Sequence, residues 1–261
     1  MSFRSVISGL SLCMTAMIAC AGPTDATDDP DAPDDAPESA EQHWDSADGN
    51  PTHATHSFMA EFAIKNLARD LPEVKTFEAR IVEGANLELH ELPSKTYNDL
   101  RLEVGGNNWA ADHPEVLWSK ARASYAAGDK GGAYFYVGIL LHYVQDMGVP
   151  AHAFHVIHQS SFGKQDNIEI LGFFDFHADF ATTAVPDPKY ASPVEYVDWS
   201  GRMARDHFHS VFGNDTYTRH YFPQAYEDLT DTHWAFLRRR EAECARGTEY
   251  ALRSAATALS R

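Results

Sequence analysis

The chain has 261 residues, of which 44% are hydrophobic and 12% aromatic, enough to form one globular domain with a sizeable core. Its formal net charge is -17, although residues 24–41 alone contain eight acidic and no basic side chains. The remaining body is still moderately acidic, which argues against a broad basic surface for duplex nucleic acid.

The first twenty residues have the layout of an export signal. Arg4 is followed by an apolar run over residues 6–18, which is too short to be interpreted as a membrane span. We therefore expect an exported protein that is secreted, periplasmic or anchored to the bacterial envelope. Residues 17–20 also resemble a lipobox, in which Cys20 becomes lipidated after cleavage. Met17 stands where Leu is usual, so cleavage with and without lipidation are both open.

Residues 21–43 are rich in Asp, Pro, Ala and Thr and are predicted to be a disordered acidic tether or a propeptide. Cys13 and Cys20 belong to the export signal, which leaves Cys244 alone in the body of the protein. The mature domain therefore has no pair of cysteines for an intrachain disulfide or a Cys-rich zinc site. Any metal must be held by His, Asp and Glu.

From residue 44 to residue 261 the patterning predicts a single all-α domain of several helices with long loops. Helical periodicity is found over residues 56–71, 118–127, 133–147, 168–182, 194–212 and 228–259, whereas alternating strand-like patterns are scarce. Pro72 is expected to stop the first helix. Residues 133–147 are apolar nearly all round, which predicts a central helix enclosed by others. The longest irregular connection is expected at residues 81–117.

The central helix carries two side chains that are chemically out of place. His142 and Asp146 are four residues apart and share one face. Burying both costs several kcal/mol unless something compensates, and a divalent cation would do so for both at once. Gly148 and Pro150 end the helix, and His152 opens the next turn, so three candidate zinc ligands converge. A neutral hydrogen bond between His142 and Asp146 is the alternative.

A resemblance to a known family begins at these residues. The pattern His142-Tyr143-x-x-Asp146-x-x-x-Pro150-x-His152-Ala153 resembles the signature of the bacterial zinc-dependent phospholipase C family, which shares its fold with the single-strand-specific zinc nucleases. Residues 124–129 and 133–136 also look like that family. The resemblance implies an all-α domain with up to three zinc ions in a cleft that cleaves phosphodiester bonds.

The resemblance also implies roles for individual residues. His142 and Asp146 match ligands of a pair of zinc ions, with Asp146 bridging them, and His152 matches a ligand of the third ion. His56 matches the family's first histidine ligand, with His53 as the competing choice.

An upstream Asp and His in the family correspond to Asp99 and His113, with His90 as a rival to His113. Asp99 is also the residue expected to orient or deprotonate the attacking water. The family uses an N-terminal Trp as a ligand, a role that suits Trp44 if the chain is cleaved after His43. A lipidated Cys20 with a retained tether would contradict that cleavage.

The last pair of ligands departs from the family. Gln165 and Glu169 have the right spacing, but Gln165 stands where relatives carry His, and an amide oxygen is a weaker zinc ligand than imidazole. His155 or His158 could substitute, and Asp175 with Asp179 offers the same spacing later. Four further histidines are expected to be core or surface residues: His207, His209, His220 and His233.

The expected activity is zinc-dependent, phospholipase C-type cleavage of phospholipids by a monomer. The membrane surface would be reached through the substrate or through an anchor at Cys20. Two alternatives are a single-strand-specific nuclease on the same fold and a non-catalytic metal-binding lipoprotein, the latter suggested by Gln165.

Overall fold

The structure is a computed structural model that describes residues 55–86, 113–154, 156, 166–168, 183–223 and 225–261. All of them belong to one compact unit, Ser39–Arg261. Every regular element in these ranges is helical: α1 Thr55–Leu67, α2 Pro72–Thr76, α3 Glu78–Ala85, α4 His113–Ala126, α5 Lys130–Asp146, α6 Pro150–Ala153, α7 Glu195–Phe212, a 3-10 turn Tyr226–Asp228 and α8 Asp231–Leu259. The all-α prediction is confirmed for this part of the chain. None of these helices combines the length and hydropathy that a membrane span requires.

Helix α5 lies at the centre and packs against α3, α4, α7 and α8. It begins where the Asp129 side chain accepts a hydrogen bond of 2.9 Å from the backbone N–H of Gly132. Gly128 turns the chain just before this cap, with φ of 85°. Eleven residues of α5 are buried: Ala133, Tyr134 and all nine residues of 137–145, which include His142 and Gln145. The prediction of an enclosed central helix is therefore confirmed.

Helices α3 and α5 cross with almost no space between their backbones. A Cβ atom on Gly138 would lie 2.3 Å from the carbonyl oxygen of Ile81, and one on Gly84 would lie 2.3 Å from that of Phe135. Only glycine allows this approach, because any side chain would push the helices apart. The crossing places Ala85, the last residue of α3, beside the final turns of α5.

Helix α8 is 29 residues long and packs along α1, α5 and α7. Its first turn is closed by a capping box between Thr230 and His233. Near its middle it presses on the turn between α5 and α6, where a Cβ on Gly148 would lie 2.0 Å from Cys244 Sγ. This contact fixes the direction in which the chain leaves α5.

Two predicted boundaries are wrong. The first helix ends at Leu67 rather than residue 71, and Pro72 begins α2 rather than only stopping α1. Proline is well suited to the first position of a helix, since its missing N–H has no partner there anyway. The connection expected to be irregular over residues 81–117 contains the end of α3 and the first turn of α4.

Two other predicted helices, over 194–212 and 228–259, are present within three residues of those bounds. The helix predicted over 168–182 lies outside the described residues, except for residue 168.

The glycine crossing generates a stability prediction. Gly138→Ala should lower the free energy of unfolding by about 1–3 kcal/mol, because its methyl group meets the Ile81 carbonyl oxygen. Gly131→Ala is the matched control on the same helix, since the nearest atom to its Cβ is 3.9 Å away. Higher helix propensity should make that control neutral or stabilising by up to about 1 kcal/mol. Urea denaturation measures both, and equal midpoints for the two variants would contradict the crossing.

Candidate metal centre

Three side chains from two helices meet at the end of α5. His56 comes from the first turn of α1, and His142 and Asp146 from the last turns of α5. One ligand atom from each lies within 4.8 Å of the others, so the group could hold a metal ion. The two imidazole rings are stacked with centroids 4.2 Å apart. His56 is 1% and His142 3% exposed, whereas the Asp146 side chain keeps 19% of its surface accessible.

The orientation of His142 is fixed by the backbone of α3. Its Nδ1 lies 2.9 Å from the carbonyl oxygen of Ala85. A carbonyl oxygen can only accept, so Nδ1 carries a proton and donates it to Ala85, which leaves Nε2 on the opposite side of the ring. That Nε2 lies 3.1 Å from Asp146 Oδ2. The Gly84–Gly138 crossing thus supplies the acceptor that turns Nε2 of His142 towards Asp146.

His56 is oriented in the same way by Gln145. Its Nδ1 donates to Gln145 Oε1, while Gln145 Nε2 is 3.5 Å from the His56 carbonyl oxygen. His56 Nε2 is left 3.6 Å from Asp146 Oδ1. Gln145 is fully buried and was not predicted from the sequence. The one signal for it is an amide in an otherwise apolar stretch, directly before Asp146.

The electrostatics of the group keep His56 neutral and Asp146 ionised. Burial, followed by the neighbouring His142, lowers the pKa of His56 to about 3, so this ring is neutral at pH 7. Burial acts to raise the pKa of Asp146, but His142 and His152 outweigh it and hold that pKa below its ordinary value. An ionised carboxylate therefore faces the neutral His56 ring, with His142 Nε2 on its other oxygen. Such an arrangement is repulsive unless a cation or a proton is shared between them.

His152 lies near this group on a separate element. It belongs to the four-residue helix α6, whose first position is Pro150. Its side chain is partly buried and lies close enough to Asp146 and His56 to influence the pKa values of both. The structure therefore brings together His56, His142 and Asp146 as predicted, with His152 in electrostatic range.

The other predicted ligands fall outside the described part of the chain. This holds for Trp44, Asp99, Gln165 and Glu169, and for the rivals His53, His90, His155, His158, Asp175 and Asp179. The backbone of His113 begins α4, but its side chain is not among those described. Between Gln165 and Glu169, the buried Asp166 accepts hydrogen bonds of 2.9 and 2.8 Å from the Tyr217 hydroxyl.

The histidines that were expected to be structural make ordinary contacts. His207 Nδ1 lies 3.5 Å from Glu243, and His233 caps α8. His209 Nδ1 is 2.9 Å from the carbonyl oxygen of Gly213 at the end of α7. None of the three belongs to the group that could hold a metal ion among the described residues.

Comparison of the chain with protein-family models, with curated proteins and with solved structures gave no match. The resemblance to the zinc-dependent phospholipase C family therefore rests on the local sequence pattern around His142, Asp146 and His152.

The neutral state of His56 predicts acid sensitivity of the metal-free protein. The folded pKa of about 3 lies below the ordinary 6.5, so the unfolded chain takes up this proton first as the pH falls. Stability should be full above pH 6.5 and fall by roughly 2 kcal/mol on going to pH 5. Urea denaturation in chelator at pH 7 and pH 5 measures the loss.

His56→Gln removes the titrating ring and is the matched variant for this test. Its stability should depend less steeply on pH over the same interval, whatever its absolute stability. The same pH dependence in both proteins would show that the His56 ring is not buried in its neutral form.

Proposed function

We propose that this chain is a zinc-dependent phosphodiester hydrolase that cleaves phospholipids in the manner of a phospholipase C. The observation that carries the proposal is the convergence of two histidine Nε2 atoms on the Asp146 carboxylate at the buried end of α5. The sequence pattern from His142 to His152, which resembles the phospholipase C family, supports the choice of reaction and substrate.

The donor set fits zinc. Imidazole nitrogen and carboxylate oxygen are ordinary zinc ligands, and three protein ligands leave a position for water or substrate. Each ring is also tied at Nδ1 to a carbonyl oxygen, the outer contact that usually fixes the tautomer of a metal-binding histidine. The remaining positions, which allow up to three ions, are proposed to be filled by Trp44, Asp99, His113, His152, Gln165 and Glu169.

The residues of the chain have distinct tasks in this reaction. Zinc, when bound, lowers the pKa of a coordinated water and stabilises charge on the phosphoryl oxygens. Asp146 supplies the negative charge between the two rings, and its partial exposure leaves one side of the group accessible. Asp99 is proposed to orient or deprotonate the attacking water. Ala85 and Gln145 keep the rings from turning, since either rotation would break a buried hydrogen bond.

The sequence pattern of the first twenty residues, which resembles an export signal, supports an activity outside the cytoplasm, in a secreted, periplasmic or envelope-anchored monomer. The membrane surface is reached through the phospholipid itself or through lipidated Cys20. The presence of Gln165 where relatives have His favours a second candidate, a metal-binding lipoprotein without catalytic activity.

Zinc binding tests the donor set directly. Metal-free protein should bind zinc, and His142→Ala should lower the affinity by about 100-fold or more through loss of a ligand. Gln145→Leu should lower it by about 10–100-fold, because the His56 ring loses its fixed orientation. Competition with a chromogenic chelator measures affinity, and elemental analysis measures stoichiometry. His220→Ala is the control, since that ring is exposed, accepts a hydrogen bond from the neighbouring Arg219 and lies outside the candidate metal group.

Wild-type affinity in His142→Ala would remove the basis of the proposal. A stoichiometry of three ions per chain supports the full cluster, whereas a single ion favours the metal-binding lipoprotein.

Hydrolysis tests the chemistry. Purified protein should release diacylglycerol from phosphatidylcholine vesicles, with loss of activity in chelator and recovery on addition of zinc. Asp99→Asn should lower turnover by about 100-fold or more, because it removes the proposed base. Cleavage of single-stranded nucleic acid with none of the vesicles would favour the nuclease, and zinc-loaded protein inert on both would favour the non-catalytic lipoprotein.

A further inference from the structure

Two arginines bond to the backbone at the two ends of α6, the short helix that carries His152. From α8, the Nε and Nη2 atoms of Arg240 both donate to the carbonyl oxygen of Gly148, at 3.1 and 2.9 Å. From α7, Arg205 Nη1 donates to the carbonyl oxygen of Ala153 at 2.9 Å. Helix α6 has only four residues, the last of which is Ala153.

Arg240 is a costly residue to place here, which makes its contacts informative. It is 2% exposed, and a buried guanidinium is tolerated only when it is paired and hydrogen-bonded. Its Nη1 donates to Glu243, which also accepts a bond of 2.6 Å from Arg239 Nε. The two remaining donor atoms converge on Gly148, just beyond the negative end of the α5 dipole.

A four-residue helix cannot hold itself in place, since helix nucleation is unfavourable and most of its backbone groups lack partners within the helix. The position of His152 must therefore come from tertiary contacts. Packing of Gly148 against Cys244 limits movement of the turn towards α8, and the two guanidinium groups fix its carbonyl oxygens.

We propose that Arg240 and Arg205 are positioning residues that hold His152 beside Asp146 for metal binding. The inference rests on the proposed function and adds to it a pair of residues outside the ligand set. A cationic guanidinium has no lone pair for a metal ion, and both arginines reach this segment by donating to backbone carbonyl oxygens, so each is proposed to act through the backbone of α6 and its preceding turn. Displacements of even about 1 Å at a ligand are enough to weaken a site of this kind.

The test compares Arg240→Met and Arg205→Met with the wild type by two measurements. Backbone hydrogen exchange of residues 148–154 in metal-free protein should become at least about 10-fold faster, with α1 unchanged. Zinc affinity, measured by chelator competition, should fall by about 10–100-fold. Arg239→Met is the matched control, since it removes a bond to Glu243 but none to the turn, and it should leave both measurements unchanged.

A double-mutant cycle distinguishes positioning from a general loss of stability. If the arginines act through His152, then Arg240→Met combined with His152→Ala should bind zinc no more weakly than the weaker single variant. Losses that multiply would overturn the proposal. Arg240→Lys keeps the charge and one donor nitrogen atom, and should restore part of the affinity.

Three further outcomes separate failure of the positioning role from failure of the proposed function. Folded Arg240→Met and Arg205→Met proteins with wild-type exchange and wild-type zinc affinity would overturn the inference and leave the proposed function standing. If Arg240→Met does not fold, the half-buried Arg205→Met and the Arg240→Lys variant carry the same comparison. If the wild type binds no zinc, the proposed function fails, and unchanged exchange in residues 148–154 would then reject the positioning role as well.

Discussion

The contact on which the candidate site depends is the crossing of α3 and α5 at Gly84 and Gly138. With no side chain between the two backbones, the Ala85 carbonyl oxygen comes within 2.9 Å of His142 Nδ1. If the helices were separated by the width of a methyl group, this hydrogen bond would be lost and the ring would be free to turn. A packing constraint in the apolar core therefore determines which nitrogen of a polar residue faces Asp146.

Two groups of helices position the residues of the candidate site. His56, His142 and Asp146 depend on the bundle of α1, α3 and α5, where orientation comes from hydrogen bonds between side chains and neutral carbonyl groups. His152 depends on α7 and α8, which reach the adjoining turn through charged side chains. Loss of one partner from a buried hydrogen bond in either group of helices lowers stability, because an unpaired polar group in the interior costs about 1–3 kcal/mol or more.

Local spacing accounts for the part of the site that the sequence predicts. His142 and Asp146 are one helical turn apart, so their shared face follows from the helix period alone. His56 was identified only through the family resemblance, because nothing in its neighbourhood indicates a partner 89 residues away. Gln145 and Arg240 were missed for the same reason, since their roles arise from contacts between distant segments. Pro72 misled the boundary prediction because the same residue that prevents continuation of one helix is well suited to start the next.

The use of neutral acceptors to orient both imidazoles has an electrostatic consequence. Carboxylates in these two outer positions would bring two extra negative charges, whereas the Ala85 carbonyl and the Gln145 amide bring none. With His56 neutral and Asp146 ionised, a dication bound among the described donors would not be fully neutralised by them. In a chain whose net charge is -17, that residual positive potential would be a local exception that attracts anions.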